Sequence, residues 1–218
     1  MEEPSFLRTT RAAYDTVAAD YTEAFNAELA DLPLDRALLA AFAEIVRGAG
    51  PAPVADVGCG PGHVTAYLHS LGLPVFGVDL SPQMVAQARR TNPGLRFDEG
   101  SMTALDVAAG ELGGIVALYS IIHIPPPELP TVFAEFRRVL APGGHALVAF
   151  QVGADELLHR TEWFGRTIAL DRYWLVPDRV AELLTQAGFE IRARMVREPD
   201  GPAEKVQRAY LLARAATA

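Results

Sequence analysis

The chain has 218 residues, half of them apolar, with 27 acidic against 19 basic side chains and a net charge of −8. That balance argues against a nucleic-acid surface, which needs a basic patch, and leaves a small cationic ligand open. A single cysteine, Cys59, excludes an internal disulfide and an all-cysteine metal site and suits a reducing compartment. No apolar run approaches the ~20 residues of a membrane span. The acidic opening M-E-E-P-S-F-L-R is unlike a signal peptide, so a cytoplasmic protein is expected. There is no internal repeat or linker, and one α/β domain over residues 1–218 is the simplest organisation.

In chain order, Phe6 to Phe25 is predicted to be a helix with Tyr14, Val17, Ala18, Tyr21 and Phe25 on one face. Pro33 to Arg47 is a second amphipathic helix, stopped by Gly48, Gly50, Pro51 and Pro53. Val54 to Gly62, V-A-D-V-G-C-G-P-G, then reads as a short buried strand turning on glycines. The following H-V-T-A-Y-L-H-S-L repeats Val64, Tyr67, Leu68 and Leu71 at helical spacing. Strand, glycine turn and helix together open a nucleotide-binding βαβ unit. The dehydrogenase G-x-G-x-x-G and the Walker G-K-[ST] are both missing. Instead Asp56 lies inside the strand and G-x-G-x-G follows it.

A second strand, V-F-G-V-D-L, ends at Asp79, 19 positions after Gly60. A nucleotide-binding sheet carries its ribose-accepting carboxylate at about this distance, although an Asp here could also cap the next helix. Ser81-Pro82 supplies an N-cap and an N1 proline for that helix, and Leu80 and Met84 are apolar flanks. Leu95 to Phe97 is a third strand leading into E-G-S-M. E-L-G-G-I-V-A-L-Y-S is a fourth, followed by I-I-H-I-P-P-P, an inward-facing helix ending R-V-L-A-P-G-G, and the fifth strand H-A-L-V-A-F. Gln151 to Pro177 is dense in aromatics and reads either as a surface helix pinned by them or as a lid at the ligand end of the sheet. A helix over Pro177–Gly188 and two strands, F-E-I-R-A-R-M-V and V-Q-R-A-Y-L-L-A-R, joined by E-P-D-G-P, close the chain. Strands alternating with helices predict a doubly wound sheet, with Gly58, Asp79, Ser101 and Ser120 converging at the carboxyl ends of its strands.

The acid-G-x-G-x-G turn, Asp79, R-V-L-A-P-G-G and the closing hairpin resemble the class I S-adenosylmethionine-dependent methyltransferases, over roughly Val54 to Arg214. The resemblance implies a seven-stranded, mostly parallel sheet with an antiparallel last strand, helices on both faces and an N-terminal helical cap. Residues 1–50 would be that cap, 51–152 the cofactor-binding half, and 153–218 the lid and closing strands. It implies S-adenosyl-L-methionine as cofactor, its amino-acid end held by Asp56 and the amides of Gly58, Cys59 and Gly60, with His63 contributing at the helix start. Asp79 would take the ribose and Leu80 and Met84 flank the adenine. Ser101 and Met102 stand where the family often has G-D-[AV], and Tyr119 and Ser120 end the fourth strand. Gly113-Gly114 departs from the usual F-D-x-[VI]. Tyr14 and Tyr21 would reach the cofactor mouth from the N-terminal helix.

Methyl transfer to an oxygen or nitrogen of a small molecule is the implied reaction, in a monomer or homodimer. His123 is the natural general base, with Tyr14 flanking the acceptor, although a lone His in an apolar loop is also compatible with a structural role. His159, Trp163, Tyr173 and Trp174 would select the substrate. His69, His145 and His159 have no metal-ligand spacing, and Cys59 reads as a small residue rather than a nucleophile. The alternatives are a catalytically silent cofactor-binding subunit, a protein or nucleic-acid methyltransferase of the same fold, and a nicotinamide dehydrogenase.

Overall fold

A computed structural model describes residues 3–201 and 204–217. Met1 and Glu2 of the acidic opening, Pro202 of the E-P-D-G-P connection and Ala218 at the end of the expected domain lie outside the described residues. The chain opens with α1 (Ser5–Phe25), a short 3₁₀ turn and α2 (Pro33–Ala49). The βα units follow: β1 (Val54–Val57), α3 (His63–Ser70), β2 (Val75–Asp79), α4 (Pro82–Thr91), β3 (Phe97–Glu99), β4 (Leu112–Leu118), α5 (Leu129–Val139) and β5 (Leu140–Gln151). After them come β6 (Glu156–Trp163), β7 (Arg166–Trp174), α6 (Pro177–Gln186), β8 (Phe189–Arg197) and β9 (Arg208–Ala215).

Seven strands form one sheet in the order β3-β2-β1-β4-β5-β9-β8. Only β9 runs against its neighbours. The order reverses between β1 and β4, which makes their carboxyl ends the switch point where ligands of open α/β sheets bind. Because β4 is covered on both faces, it reads as a continuous apolar run rather than an alternating one. Ile115 and Ala117 join Phe133, Phe136 and Phe150 beneath α5 and α6, while Val116 joins Phe42, Val46 and Leu68 beneath α2 and α3. This packing explains the departure at Gly113-Gly114: a Cβ on Gly114 would sit 2.7 Å from the Phe42 ring, so no larger residue fits under α2.

Two segments differ from the expected alternation. No helix links β3 to β4; turns fill residues 100–111. They are held from α5, where Glu135 Oε1 accepts from the Leu105 amide (2.6 Å) and Arg138 donates to the Leu105 and Val107 carbonyls. The aromatic stretch after β5 is an antiparallel hairpin, β6–β7, and not a surface helix. Its two-residue loop is Phe164-Gly165, with φ +52 and +71, the left-handed pair that matches the twist of a tight hairpin. Phenylalanine rarely takes that conformation, so the turn carries half of its usual signature. The hairpin lies on α1, with Ile168 and Leu170 buried against Ala13 and Val17.

Candidate active site

The glycine turn after β1 is organised by its own backbone. Val78 O accepts from the Gly58 and Cys59 amides (2.7 and 3.1 Å), and Asp79 Oδ2 accepts from the Gly60 amide (2.8 Å). Three amides expected to hold a ligand are thereby taken up within the protein. The amides of His63 and Val64, in the first turn of α3, have no acceptor among the described residues and are the ones left for an anionic group. The glycines also divide. Gly58 has φ +77, and a Cβ on it would overlap the Ser120 side chain, whose hydroxyl is fixed on Val57 O (2.8 Å). Gly60 has φ +52, and a Cβ there would meet only Tyr21, at 4.0 Å. Gly58 therefore serves the joint between β1 and β4, and Gly60 keeps the cleft open.

That cleft opens at the carboxyl ends of β1, β2 and β4, where an open α/β sheet binds its ligand. All the expected cofactor-side residues line it: Tyr14, Tyr21, Asp56, Gly58, Cys59, Gly60, His63, Asp79, Leu80, Met84, Ser101, Met102, Tyr119 and Ser120, and so does His123. Asp56 is buried, its Oδ2 accepting from Thr65 Oγ1 (2.6 Å), and burial raises its pKa to about 7. Burial likewise raises Asp79 to about 6, against the amides of Ser81 and Gly60 that favour its charged form. His63 is pushed down to about 4 by burial, and its Nδ1 has no partner among the described residues. The Cys59 thiol is driven well up by burial, which makes it inert. Ser101 bonds Thr103 in a local turn (2.7 Å).

Sequence reasoning missed how α1 is tied down. Asp15 Oδ1 accepts from Ser81 Oγ (2.6 Å) and the Gln83 amide (3.2 Å), and Arg11 Nε donates to Leu80 O (3.1 Å). α1 is thus fastened to the join of β2 and α4, over the cleft. Also missed was Asp35, buried on α2, which accepts from Tyr119 (3.1 Å) and Tyr210 (3.0 Å). It raises the Tyr119 and Tyr210 phenols through its charge, after burial. Neither acid belongs to a sequence motif; both act across more than 60 residues of chain.

Opposite the glycine turn, Tyr14 OH lies 2.7 Å from His123 Nε2. His123 Nδ1 is 2.9 Å from the Asp171 carbonyl, which can only accept. Nδ1 therefore carries the proton, Nε2 accepts, and Tyr14 donates. Burial pushes His123 down to about 4 and the Tyr14 phenol well up, so both are neutral near pH 7. His159, Trp163, Tyr173 and Trp174 do not line the cleft. Trp163 packs behind it, 6.0 Å from the Tyr14 ring and 5.4 Å from that of Tyr21. His159 is half exposed and pairs with Asp171 Oδ1 (2.6 Å), and Tyr173 packs on the main core. Among the described residues no helix is long and apolar enough to cross a membrane.

A doubly wound sheet with a reversed last strand, an acid-bearing glycine turn and a carboxylate closing β2 define a class I methyltransferase architecture. Residues 54–144 match the family described as a methyltransferase domain. An uncharacterised methyltransferase of Synechocystis sp. is 30% identical over 149 residues, 63% of this chain and 66% of that protein. The trans-aconitate 2-methyltransferase of Rhizobium meliloti is 33% identical over 127 residues, 57% of this chain and 46% of its own. The matched stretches thus span two-thirds of one curated relative at most and about half of the other. Among solved structures, DhpI in complex with S-adenosylhomocysteine shares the fold over the whole of both chains, with a TM-score of 0.75 and 20% identity. Residues 54–144 are thus a methyltransferase domain, carried on the class I S-adenosylmethionine-dependent methyltransferase fold.

The residues present fit that cofactor. Asp79 and Asp56 offer carboxylate oxygens to hydroxyl and ammonium donors, Gly60 leaves the cleft floor open, and the His63 and Val64 amides suit a carboxylate. Met84 and Leu80 provide apolar surface for a base.

Proposed function

We propose that this protein transfers a methyl group from S-adenosylmethionine to a small-molecule acceptor, inside a cleft roofed by α1 and backed by the β6–β7 hairpin. Asp79 holds the ribose, Asp56 with the first turn of α3 holds the amino-acid end, and Met84 and Leu80 flank the adenine. When bound, the cofactor supplies a sulfonium methyl that passes to an acceptor lone pair as the carbon–sulfur bond breaks and its electron pair returns to sulfur. Everything else the chain does is alignment and exclusion of water. A roofed cleft suits a small molecule better than a polymer, and a relative named for trans-aconitate acts on one. The acidic chain and its single buried cysteine accord with work in the cytoplasm, without nucleic acid.

The observation that carries the acceptor side is the 2.7 Å hydrogen bond between Tyr14 and His123. With its lone pair engaged by Tyr14 and its protonation opposed by burial, His123 orients Tyr14, and Tyr14 meets the acceptor. The test is release of S-adenosylhomocysteine across a panel of small acids, alcohols and amines, followed by kinetics of the variants. Tyr14→Phe and His123→Ala are each expected to lower kcat about tenfold, with the double variant little worse than either, since the two act as a unit. The pH profile should show no ionisation from His123. A loss of 10²-fold or more in His123→Ala, with a titrating limb in the wild type that the variant lacks, would make it a general base instead.

A further inference from the structure

Arg160 and Arg172 lie on the hairpin with no carboxylate partner and no hydrogen bond among the described residues, and Arg172 Nε is buried without an acceptor. In a chain with 27 acidic and 19 basic side chains, that is an unusual omission. A buried N–H left without an acceptor costs the full desolvation of the group. Strand alternation puts Arg172 on the same face of β7 as Ile168 and Leu170, which are buried against α1 beside Tyr14. Arg160 stands opposite Leu170 across the ladder, its guanidinium 4.4 Å from the centre of the Trp163 ring. A third guanidinium, that of Arg208 at the start of β9, lies 5.7 Å from the centre of the cleft-lining Tyr119 ring. Arg208 has a partner, Glu204, at 3.5 Å.

These charges converge. Burial first, then Arg160 and Arg208, hold the pKa of Arg172 below its ordinary value, and the field of Arg172 reaches both Tyr14 and His123. Arg160 and Arg172 have no counter-ion among the described residues, and like charges so placed repel one another, a repulsion that an anion brought between them relieves. Guanidinium forks match the planar oxygens of carboxylates and the tetrahedral oxygens of phosphorus acids.

We propose that Arg160, Arg172 and Arg208 form a recognition site for an anionic methyl acceptor, an oxyacid of the carboxylate or phosphonate class. This rests on the methyltransferase reading above and narrows its acceptor to an acid oxygen. Such an oxygen arrives deprotonated and needs no base, in keeping with a histidine whose lone pair is already engaged. Carboxylates then mark the cofactor side of the cleft, and the arginines stand behind its acceptor wall, around Tyr14 and Tyr119, not among the residues that line it.

The test is calorimetry on the protein saturated with S-adenosylhomocysteine, titrated with succinate, methylphosphonate and putrescine at constant ionic strength. Succinate or methylphosphonate should bind, whichever is tighter identifying the acid, and putrescine should not. Arg172→Gln and Arg160→Gln should each weaken the anion at least tenfold, Arg172→Lys should recover part of the loss, and affinity for S-adenosylhomocysteine should change less than twofold. The two Gln variants lie on different strands, so a folding failure in one leaves the other to decide. Equal anion affinity in the wild type and the Gln variants, preference for putrescine, or no anion binding up to about 50 mM would overturn the proposal. Failure of the wild type to bind S-adenosylhomocysteine would instead overturn the methyltransferase reading beneath it.

Discussion

The two sides of the cleft are built differently. Most of the cofactor side comes from one stretch of chain, Val54 to Met84, completed by Ser101, Met102, Tyr119 and Ser120 and by Tyr14 and Tyr21 from α1, and its glycine turn is shaped by backbone: amides on the Val78 carbonyl, an amide on Asp79, and left-handed glycines. The acceptor side is assembled from α1, the loop after β4 and the β6–β7 hairpin. Side chains hold it: Tyr14 on His123, Trp163 against Tyr14 and Tyr21, and Ile168 and Leu170 on α1. A wall made of backbone binds the part of a ligand that never varies. A wall made of side chains on separate elements can change its substrate by substitution without disturbing the other.

The sharpest test of that contrast lies within the glycine turn. Gly58→Val forces a side chain into Ser120 at a positive φ and should destabilise the fold by about 3 kcal/mol or more, read from the urea midpoint. Gly60→Val faces open cleft, so it should carry only the strain of a valine at φ +52, about 1–3 kcal/mol and less than Gly58→Val, while losing cofactor affinity by about 10²-fold. Equal stability of the two variants would erase the distinction between joint and cradle.

Next in size, Asp79→Ala should weaken S-adenosylmethionine by about 1.5–3 kcal/mol in calorimetry, the scale for hydrogen bonds to a charged acceptor. Asp79 and Asp56 also predict a pH dependence. Their folded pKa values, about 6 and about 7, are raised above the unfolded value near 3.9. The stability they contribute is therefore full below about pH 4 and is lost as pH rises through about 6 and 7. The ligand-free protein should become less stable across that window, and Asp56→Asn with Asp79→Asn should flatten the slope. Because a cationic cofactor prefers ionised carboxylates, its affinity should rise over the same range.

Smaller effects probe the acceptor side. Trp163→Ala should lower turnover about tenfold by loosening Tyr14 and the hairpin, with cofactor affinity changed less than twofold. A larger effect on cofactor affinity than on turnover would dissolve the separation of the two walls. At the bottom of the scale, His159→Ala removes a half-exposed pair with Asp171 and should shift stability by less than about 0.5 kcal/mol.

By itself the sequence determined the alternating sheet and the residues gathered at its glycine turn, because those depend on local signals: apolar runs, glycines and one acid at fixed spacing; the reversed last strand came with the resemblance to the methyltransferases. It placed His123 after the fourth strand at the ligand end of the sheet, and the resemblance added Tyr14 from the N-terminal helix. It was silent on Asp15, Asp35 and the unpaired arginines, whose roles exist only between elements far apart in the chain. It pointed both ways on residues 151–177, where Phe164 occupies a left-handed position that usually belongs to asparagine or glycine. Only the tertiary structure decided that the segment is a hairpin, that its aromatics pack behind Tyr14 instead of lining the cleft, and that Gly58 serves a joint. Each of those outcomes is a contact between surfaces that no short stretch of sequence contains.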